Sequence, residues 1–330
     1  MAWRASSRPP ANCCDQRNLS LDYRRPFFLF SGHLETIYPA ILRAVDLTYD
    51  RERLVTHDHD FLDLDWVKTG ANKLVIISHG LEGNTSRAYM KGMARAFSEA
   101  GFDVLAWNFR GCSNEMNRKL RFYHSGATDD LDAVVEHARD NGYSEIFLTG
   151  FSLGGNLTLK YLGEKRSHPE INKAVVFSTP LDLYTSCLKI SKPSNRIYAR
   201  RFLTSLKQKI MCKSAIMPGL EVKDLDRVTT ILEFDDRYTA PLHGFQGARD
   251  YYKKCSSIHF LESISVPTLI VNAQNDPFLS ELCYPVALCK SHRYVTLENP
   301  RHGGHVGFAQ FNKNGLYWSE ERALSFFALE

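Results

Sequence analysis

The pentapeptide Gly150-Phe151-Ser152-Leu153-Gly154 decides the predicted fold. A short apolar run at 145–149 precedes it and predicts a buried strand, while apolar residues at helical spacing follow it over 153–164. A serine in so sharp a strand-to-helix turn has a strained backbone, and small residues two positions before and after it avoid collisions across the turn. The Ser152 hydroxyl would be exposed beside the amide of Leu153 at a helix N-terminus. The pattern therefore indicates a nucleophile, although G-x-S-x-G alone is a frequent motif.

Strand-like and helix-like runs alternate along the rest of the chain. The runs at 46–54 and 61–67 predict an antiparallel hairpin, and six further strands are predicted at 74–78, 102–109, 145–149, 173–178, 267–273 and 294–297. Helices are predicted at 85–99, 128–139, 153–164 and 317–328. This order predicts an α/β fold with a doubly wound, mostly parallel sheet and an antiparallel leading edge. Catalytic residues of such sheets lie at the carboxyl ends of the strands.

The domain organisation follows from one long interruption of this pattern. Residues 1–25 are expected to be a flexible tail, and residues 26–330 a single domain. Residues 179–263 separate two core strands and have helical character at 194–211 and 245–254. We expect residues 180–263 to be a helical cap insertion over the catalytic edge of the sheet. Extra helices packed at the side of the sheet are the alternative.

Composition excludes several classes of protein. The 330 residues are 44% hydrophobic, which allows a sizeable core. Lys plus Arg number 41 and Asp plus Glu 37, a balance that argues against nucleic-acid binding. There is no 18-residue apolar run and no secretory signal, so we expect a cytoplasmic protein without a transmembrane helix. The eight cysteines lack zinc spacing, and the turn His57-Asp58-His59-Asp60 is typical of a solvated loop, so no metal or organic cofactor is expected.

A catalytic serine needs a histidine base and an acid that fixes the histidine tautomer. Asp276 follows the strand at 267–273, and His305 follows the strand at 294–297, in the order Ser, Asp, His that this architecture requires. Asp182, after the strand at 173–178, is a rival acid, and His302 is a rival base. Pro277 would fix Asp276 in a tight turn, and Gly303-Gly304 would let His305 reach the site.

An acyl oxyanion needs two backbone donors. One is the amide of Leu153, after the nucleophile. The other is expected in the loop His79-Gly80-Leu81-Glu82-Gly83, where the amide of Leu81 is our choice. His79 itself is expected to make a structural hydrogen bond within the loop.

Several motifs together resemble the YheT-like branch of the α/β-hydrolases. They are Gly32-His33-Leu34-Glu35-Thr36, His79 to Gly83, Phe109-Arg110-Gly111-Cys112-Ser113, Tyr123-His124-Ser125-Gly126, Ser152 to Asn156, Glu233-Phe234-Asp235-Asp236, Asn275 to Phe278 and Gly303 to Phe308. The resemblance runs from about residue 26 to the end of the chain. It implies an esterase or lipase-like serine hydrolase with a Ser-Asp-His triad, which falls on Ser152, Asp276 and His305.

The expected function is hydrolysis of carboxylic esters, either short- or medium-chain esters or acylglycerols, through an acyl-enzyme. A thioesterase or acyltransferase with the same triad is one alternative, and a non-catalytic ligand-binding protein is another. The expected partner is a small ester or lipid. Basic and aromatic residues of the insertion could also contact a lipid surface, or they could form a solvated helix with one buried face: Lys189, Lys192, Arg196, Tyr198, Arg200, Arg201 and Phe202.

Overall fold

An eight-stranded sheet forms the centre of the protein. A computed structural model describes residues 22–164, 169–217 and 219–329. The strand order is β1-β2-β4-β3-β5-β6-β7-β8. The strands are β1 Asp50–Val55, β2 Phe61–Val67, β3 Lys73–Ser78, β4 Asp103–Asn108, β5 Glu145–Phe151, β6 Ile171–Phe177, β7 Thr268–Val271 and β8 Val295–Glu298. Strand β2 pairs antiparallel with β1 and β4, and the other pairings are parallel, so the predicted α/β class with its antiparallel leading edge is confirmed.

Helices cover both faces of this sheet. The α-helices of the described residues are α1 Gly32–Leu42, α2 Ala88–Glu99, α3 Thr128–Asp140, α4 Leu153–Glu164, α5 Leu183–Ile190, α6 Arg196–Ile216, α7 Ile231–Phe234, α8 Ala240–Leu242, α9 Ala248–Cys255, α10 Val286–Ser291 and α11 Trp318–Ala328. Apolar residues of α3 and α4 form one core with the sheet, and those of α2 and α11 form a second core on the opposite face. This two-sided packing is the predicted doubly wound arrangement. Among the described residues, no helix is long and apolar enough to cross a membrane.

Strand β2 is buried on both faces. Its residues from 61 to 66 are all buried, including Asp63 and Asp65. The two carboxylates accept hydrogen bonds from Arg53 and Arg51 of β1, with N–O distances of 2.8 and 2.7 Å. Cross-strand ion pairs thus supply the polar partners of these two buried carboxylates.

Helix α2 begins three residues later than predicted because Thr85 has other partners. Its backbone N–H donates to Asn108 Oδ1 at 3.2 Å, and its hydroxyl donates to Asp65. These bonds attach residue 85 to the end of β4 and to β2, so the helix starts only at Ala88.

The turn His57-Asp58-His59-Asp60 takes part in a buried ion-pair network. Arg110 is fully buried and contacts Asp130 of α3 at 2.7 Å. It also contacts Asp58 at 2.8 Å and Asp60 at 3.0 Å. Carboxylates that suggested a solvated loop therefore connect the β1–β2 hairpin to α3.

The predicted tail at 1–25 lies mostly outside the described residues, which begin at 22. Tyr23 packs against Phe308 and Trp318, with ring centroids 5.8 and 5.4 Å apart, and its hydroxyl donates to the Ala309 carbonyl at 3.0 Å. Helices α5 to α9 all lie between β6 and β7, which is where the sequence predicted an insertion.

Candidate active site

Ser152 lies in the turn between β5 and α4, at the edge of the sheet where the parallel strands end. Its φ is 52°, in the left-handed region, and its N–H donates to the Phe177 carbonyl of β6 at 2.9 Å. A Cβ on Gly150 would lie 2.6 Å from the Gly154 carbonyl oxygen, and one on Gly154 would lie 2.5 Å from that of Ser78. Glycine at both positions therefore allows the turn to close.

The structure brings Ser152, His305 and Asp276 together. The Ser152 Oγ is 2.9 Å from His305 Nε2, and His305 Nδ1 is 2.8 Å from Asp276 Oδ2. Because a carboxylate only accepts, Nδ1–H donates to Asp276 and Nε2 is left to accept the serine proton. Asp276 is 1% exposed, and its other oxygen accepts the Phe278 N–H at 2.8 Å. This is the geometry that a general base and its orienting acid require.

The two rival residues have other partners. The Asp182 carboxylate caps the N-terminus of α5 by accepting the Thr185 N–H at 2.8 Å. His302 has a 38% exposed side chain, and its Nδ1 lies 3.8 Å from Glu35 Oε1. The serine hydrogen-bonds to His305 rather than to His302.

The loop at 79–83 lies beside the serine. A Cβ on Gly80 would be 3.2 Å from Ser152 Cβ, and the Gly80 N–H donates to the Tyr89 hydroxyl at 3.0 Å. Within the described part of the chain, the amides of Leu81 and Leu153 have no hydrogen-bond acceptor. An oxyanion hole requires two N–H groups without an acceptor in the protein, and both Leu81 and Leu153 line the cavity that contains Ser152.

His79 has the structural role that was expected of it. Its Nδ1–H donates to the Gly80 carbonyl at 2.8 Å, and its Nε2 accepts the Phe109 N–H at 3.1 Å. Complete burial lowers its pKa to about 3, so the ring is neutral and connects the loop to β4.

Glu82 connects this loop to helix α6. Its carboxylate accepts hydrogen bonds from the Tyr123 hydroxyl at 2.7 Å, from Lys209 Nζ at 2.8 Å and from Ser205 Oγ at 2.5 Å. Burial raises the pKa of Glu82, but the Lys209 ammonium and the hydrogen bonds outweigh burial and lower the pKa below its usual value. Glu82 is therefore an ionised partner of α6.

A cavity of about 120 Å³ lies between the serine turn and the segment that separates β6 from β7. Its walls include Ser152 and Leu81 on the sheet side. Apolar side chains of the inserted segment complete it: Leu183, Ile190, Leu206, Ile210, Ile231, Phe234 and Leu242. Such walls suit an apolar chain attached to a group that Ser152 attacks.

One carboxylate, Asp235, lies in the wall of this cavity. It accepts the Tyr252 hydroxyl at 2.6 Å and the Thr239 hydroxyl at 2.6 Å. Burial raises its pKa to about 6. The sequence showed Asp235 only as part of a motif, without a role.

Some of the basic and aromatic residues that were considered for lipid contact face the loop that carries Asp276 instead of solvent. Lys189 Nζ donates to the Asp276 carbonyl at 3.3 Å, and the rings of Tyr198 and Phe202 lie 4.7 and 6.0 Å from that of Phe278. The exposed members are Lys192, Arg196, Arg200 and Arg201.

Comparison with known families decides the protein class. The family model described as Serine aminopeptidase, S33 (Hydrolase_4) matches residues 69–283. The chain belongs to this α/β-hydrolase family. The hydrolase is 36% identical over 287 residues to a protein of Escherichia coli (strain K12) named "Putative esterase YheT", covering 84% of each chain. The resemblance to the YheT-like branch is thereby confirmed.

Two further likenesses agree with this assignment. The hydrolase is 30% identical to "Phospholipase ABHD3" of Mus musculus, covering 82% of this chain and 69% of the relative. The solved structure of the Pyrococcus furiosus esterase Pf2001 superposes with a TM-score of 0.57, covering 86% of this chain and 97% of that one at 18% identity. At this identity the structural likeness supports the fold alone.

Proposed function

We propose that this hydrolase cleaves carboxylic esters through an acyl-enzyme on Ser152, with His305 as general base and Asp276 as the acid that orients it. The class, a carboxylic ester hydrolase, follows from the family and its esterase and phospholipase relatives. The residues and the substrate range are our proposal. The observation that carries it is the hydrogen-bonded chain Ser152–His305–Asp276, with distances of 2.9 and 2.8 Å, beside an apolar cavity.

Each step of the reaction uses one of these groups. His305 Nε2 takes the Ser152 proton while Oγ bonds to the ester carbonyl carbon, and the amides of Leu81 and Leu153 stabilise the oxyanion. His305 then gives the proton to the leaving alcohol as the ester C–O bond breaks. In the second half, His305 takes a proton from a water whose oxygen attacks the acyl carbon. It then gives this proton to Ser152 Oγ as the bond between Oγ and the acyl carbon breaks, which releases the carboxylic acid and restores the serine. Asp276 stabilises the imidazolium in both halves.

The cavity supports substrates with an apolar acyl group, namely short- or medium-chain esters or acylglycerols. A panel of p-nitrophenyl esters from acetyl to palmitoyl, assayed beside a monoacylglycerol, tests this range. Activity should depend on acyl length and disappear in Ser152→Ala. Full activity in a folded Ser152→Ala variant would refute the proposal.

Peripheral contact with a lipid surface is a further part of the proposal. The exposed cations Lys192, Arg196, Arg200 and Arg201 support it, because anionic headgroups attract such residues. Sedimentation with anionic vesicles should fall when Arg200 and Arg201 are changed to Gln. If the wild type and this variant sedimented equally, Arg200 and Arg201 would belong to a solvated helix face that does not bind lipid.

A further inference from the structure

The start of helix α1 contacts both loops that carry the proposed acid and base. Glu35 of α1 is fully buried, at 0% exposure. Its Oε2 accepts the side-chain N–H of Asn275 at 2.9 Å and the backbone N–H of Gly303 at 2.5 Å. Asn275 precedes Asp276, and Gly303 lies two residues before His305. One carboxylate oxygen therefore joins the acid loop to the base loop.

Thr36 adds a second connection to the base loop. Its Oγ accepts the His305 N–H at 2.9 Å and donates to the Gly32 carbonyl at 2.6 Å. Gly304 N–H also donates to Asn275 Oδ1 at 3.1 Å, so the two loops bond to each other where α1 meets them.

Close packing accompanies these bonds. A Cβ on Gly32 would meet the Asn275 backbone carbonyl, and one on Gly304 would lie 2.8 Å from the Gly32 carbonyl oxygen. Gly303 and Gly304 have φ angles of 142° and 58°. The loop therefore reaches α1 in a backbone conformation that residues other than glycine rarely adopt. The group Gly32, Glu35 and Thr36 is named the α1 clamp below.

We propose that the α1 clamp positions His305 against Asp276 and Ser152, with Glu35 and Thr36 as positioning residues of the reaction. The proposal rests on the proposed function, because it assigns these residues to the acid–base pair of that function. It gives a role to the fully buried carboxylate of Glu35. Neither side chain is assigned contact with substrate. Each acts through the loop that it bonds.

The test compares two pairs of variants in the full-length enzyme with a p-nitrophenyl ester. Glu35→Ala removes the shared acceptor, whereas Glu35→Gln retains one oxygen that can accept both N–H groups. Thr36→Val removes the acceptor for His305 N–H, whereas Thr36→Ser retains it. We expect kcat to fall about 100-fold in Glu35→Ala, as for a small displacement of a reacting group, and about tenfold in Thr36→Val. KM should stay near the wild-type value, and Glu35→Gln and Thr36→Ser should recover most of the lost kcat.

A matched control separates positioning from stability. Asp103 is also a buried carboxylate that accepts backbone N–H groups, from Thr69 at 2.6 Å and Ala71 at 3.1 Å. It begins β4, at the opposite end of the strands from Ser152. Asp103→Ala removes that acceptor as Glu35→Ala does, and it should lower Tm while kcat stays unchanged.

Two outcomes distinguish the failure of this inference from that of the proposed function. If Ser152→Ala abolishes activity but folded Glu35→Ala and Thr36→Val have wild-type kcat, the clamp is refuted alone. The same holds if the conservative variants lose as much kcat as the disruptive ones. If Ser152→Ala retains activity, the proposed function fails and the clamp inference fails with it.

Discussion

The two sides of the candidate site differ in what supports them. The acid–base side, Asp276 and His305, follows strands of the sheet. Helix α1 bonds both of its loops, and Lys189 of the inserted segment also donates to the Asp276 carbonyl. The oxyanion side, the loop at 79–83, is bonded through Glu82 to α6, a helix of the segment between β6 and β7. That same segment lines the cavity. We therefore expect proton transfer to depend mainly on α1 and the sheet, and oxyanion stabilisation to depend more on α6 of the segment that lines the cavity.

The largest effect should come from the acid–base side. Asp276→Asn would preserve the shape of the side chain but favour the wrong histidine tautomer, so kcat should fall about 10⁴-fold. Steady-state kinetics on a p-nitrophenyl ester measures this. Asp182→Asn is the control, since asparagine also caps a helix, and it should change kcat little. If kcat fell more in Asp182→Asn than in Asp276→Asn, Asp182 rather than Asp276 would be the acid that orients His305.

A smaller effect is expected on the oxyanion side. Lys209→Met removes the ammonium that bonds Glu82 but leaves the Leu81 amide in the chain. We expect about a tenfold lower kcat, less than the 10²- to 10³-fold typical of losing an oxyanion donor itself.

Lys207→Met is the matched control on the same helix, because Lys207 Nζ bonds only the Asp226 carbonyl at 3.2 Å among the described residues. If both lysine variants had equal kcat, the loop would not depend on α6, and the contrast between the two sides would disappear.

The smallest effect concerns the stability of the cavity wall. Burial raises the pKa of Asp235 from its usual 3.8 to about 6. Between these values the folded protein retains a proton that the unfolded chain has released, so stability should decrease as pH rises through this interval and then level off. Asp235→Asn cannot titrate. The Tm of the variant minus the wild-type Tm should increase by a few degrees as the pH rises from about 4 to about 6. This difference should stay constant at higher pH. Parallel Tm curves for the two proteins would show that Asp235 does not titrate in this range.

The sequence was most informative about the sheet and the residues at the ends of its strands. Apolar runs located β3 to β8 along the chain, and the turn at 150–154 located the candidate nucleophile. Asp276 and His305 could be chosen because each follows a strand, and parallel strands end at one edge of the sheet. These are local signals, and each can be detected within a few residues.

Long-range polar contacts could not be predicted in the same way. Glu35 lies 240 residues from Asn275 and 268 from Gly303 in the chain, so no local pattern connects them. Glu82 and Lys209 are 127 residues apart. The sequence showed Glu35 only within the motif Gly32 to Thr36, and that motif does not identify a partner.

The most direct test of the central claim is covalent labelling with a fluorophosphonate probe, followed by mass spectrometry of the digested protein. We expect one label, on the peptide that contains Ser152. We also expect no label in Ser152→Ala, and slow labelling in a folded His305→Ala variant because the serine has lost its base. Labelling of a different residue, or equal labelling of the wild-type and Ser152→Ala proteins, would contradict the assignment of Ser152 as the nucleophile.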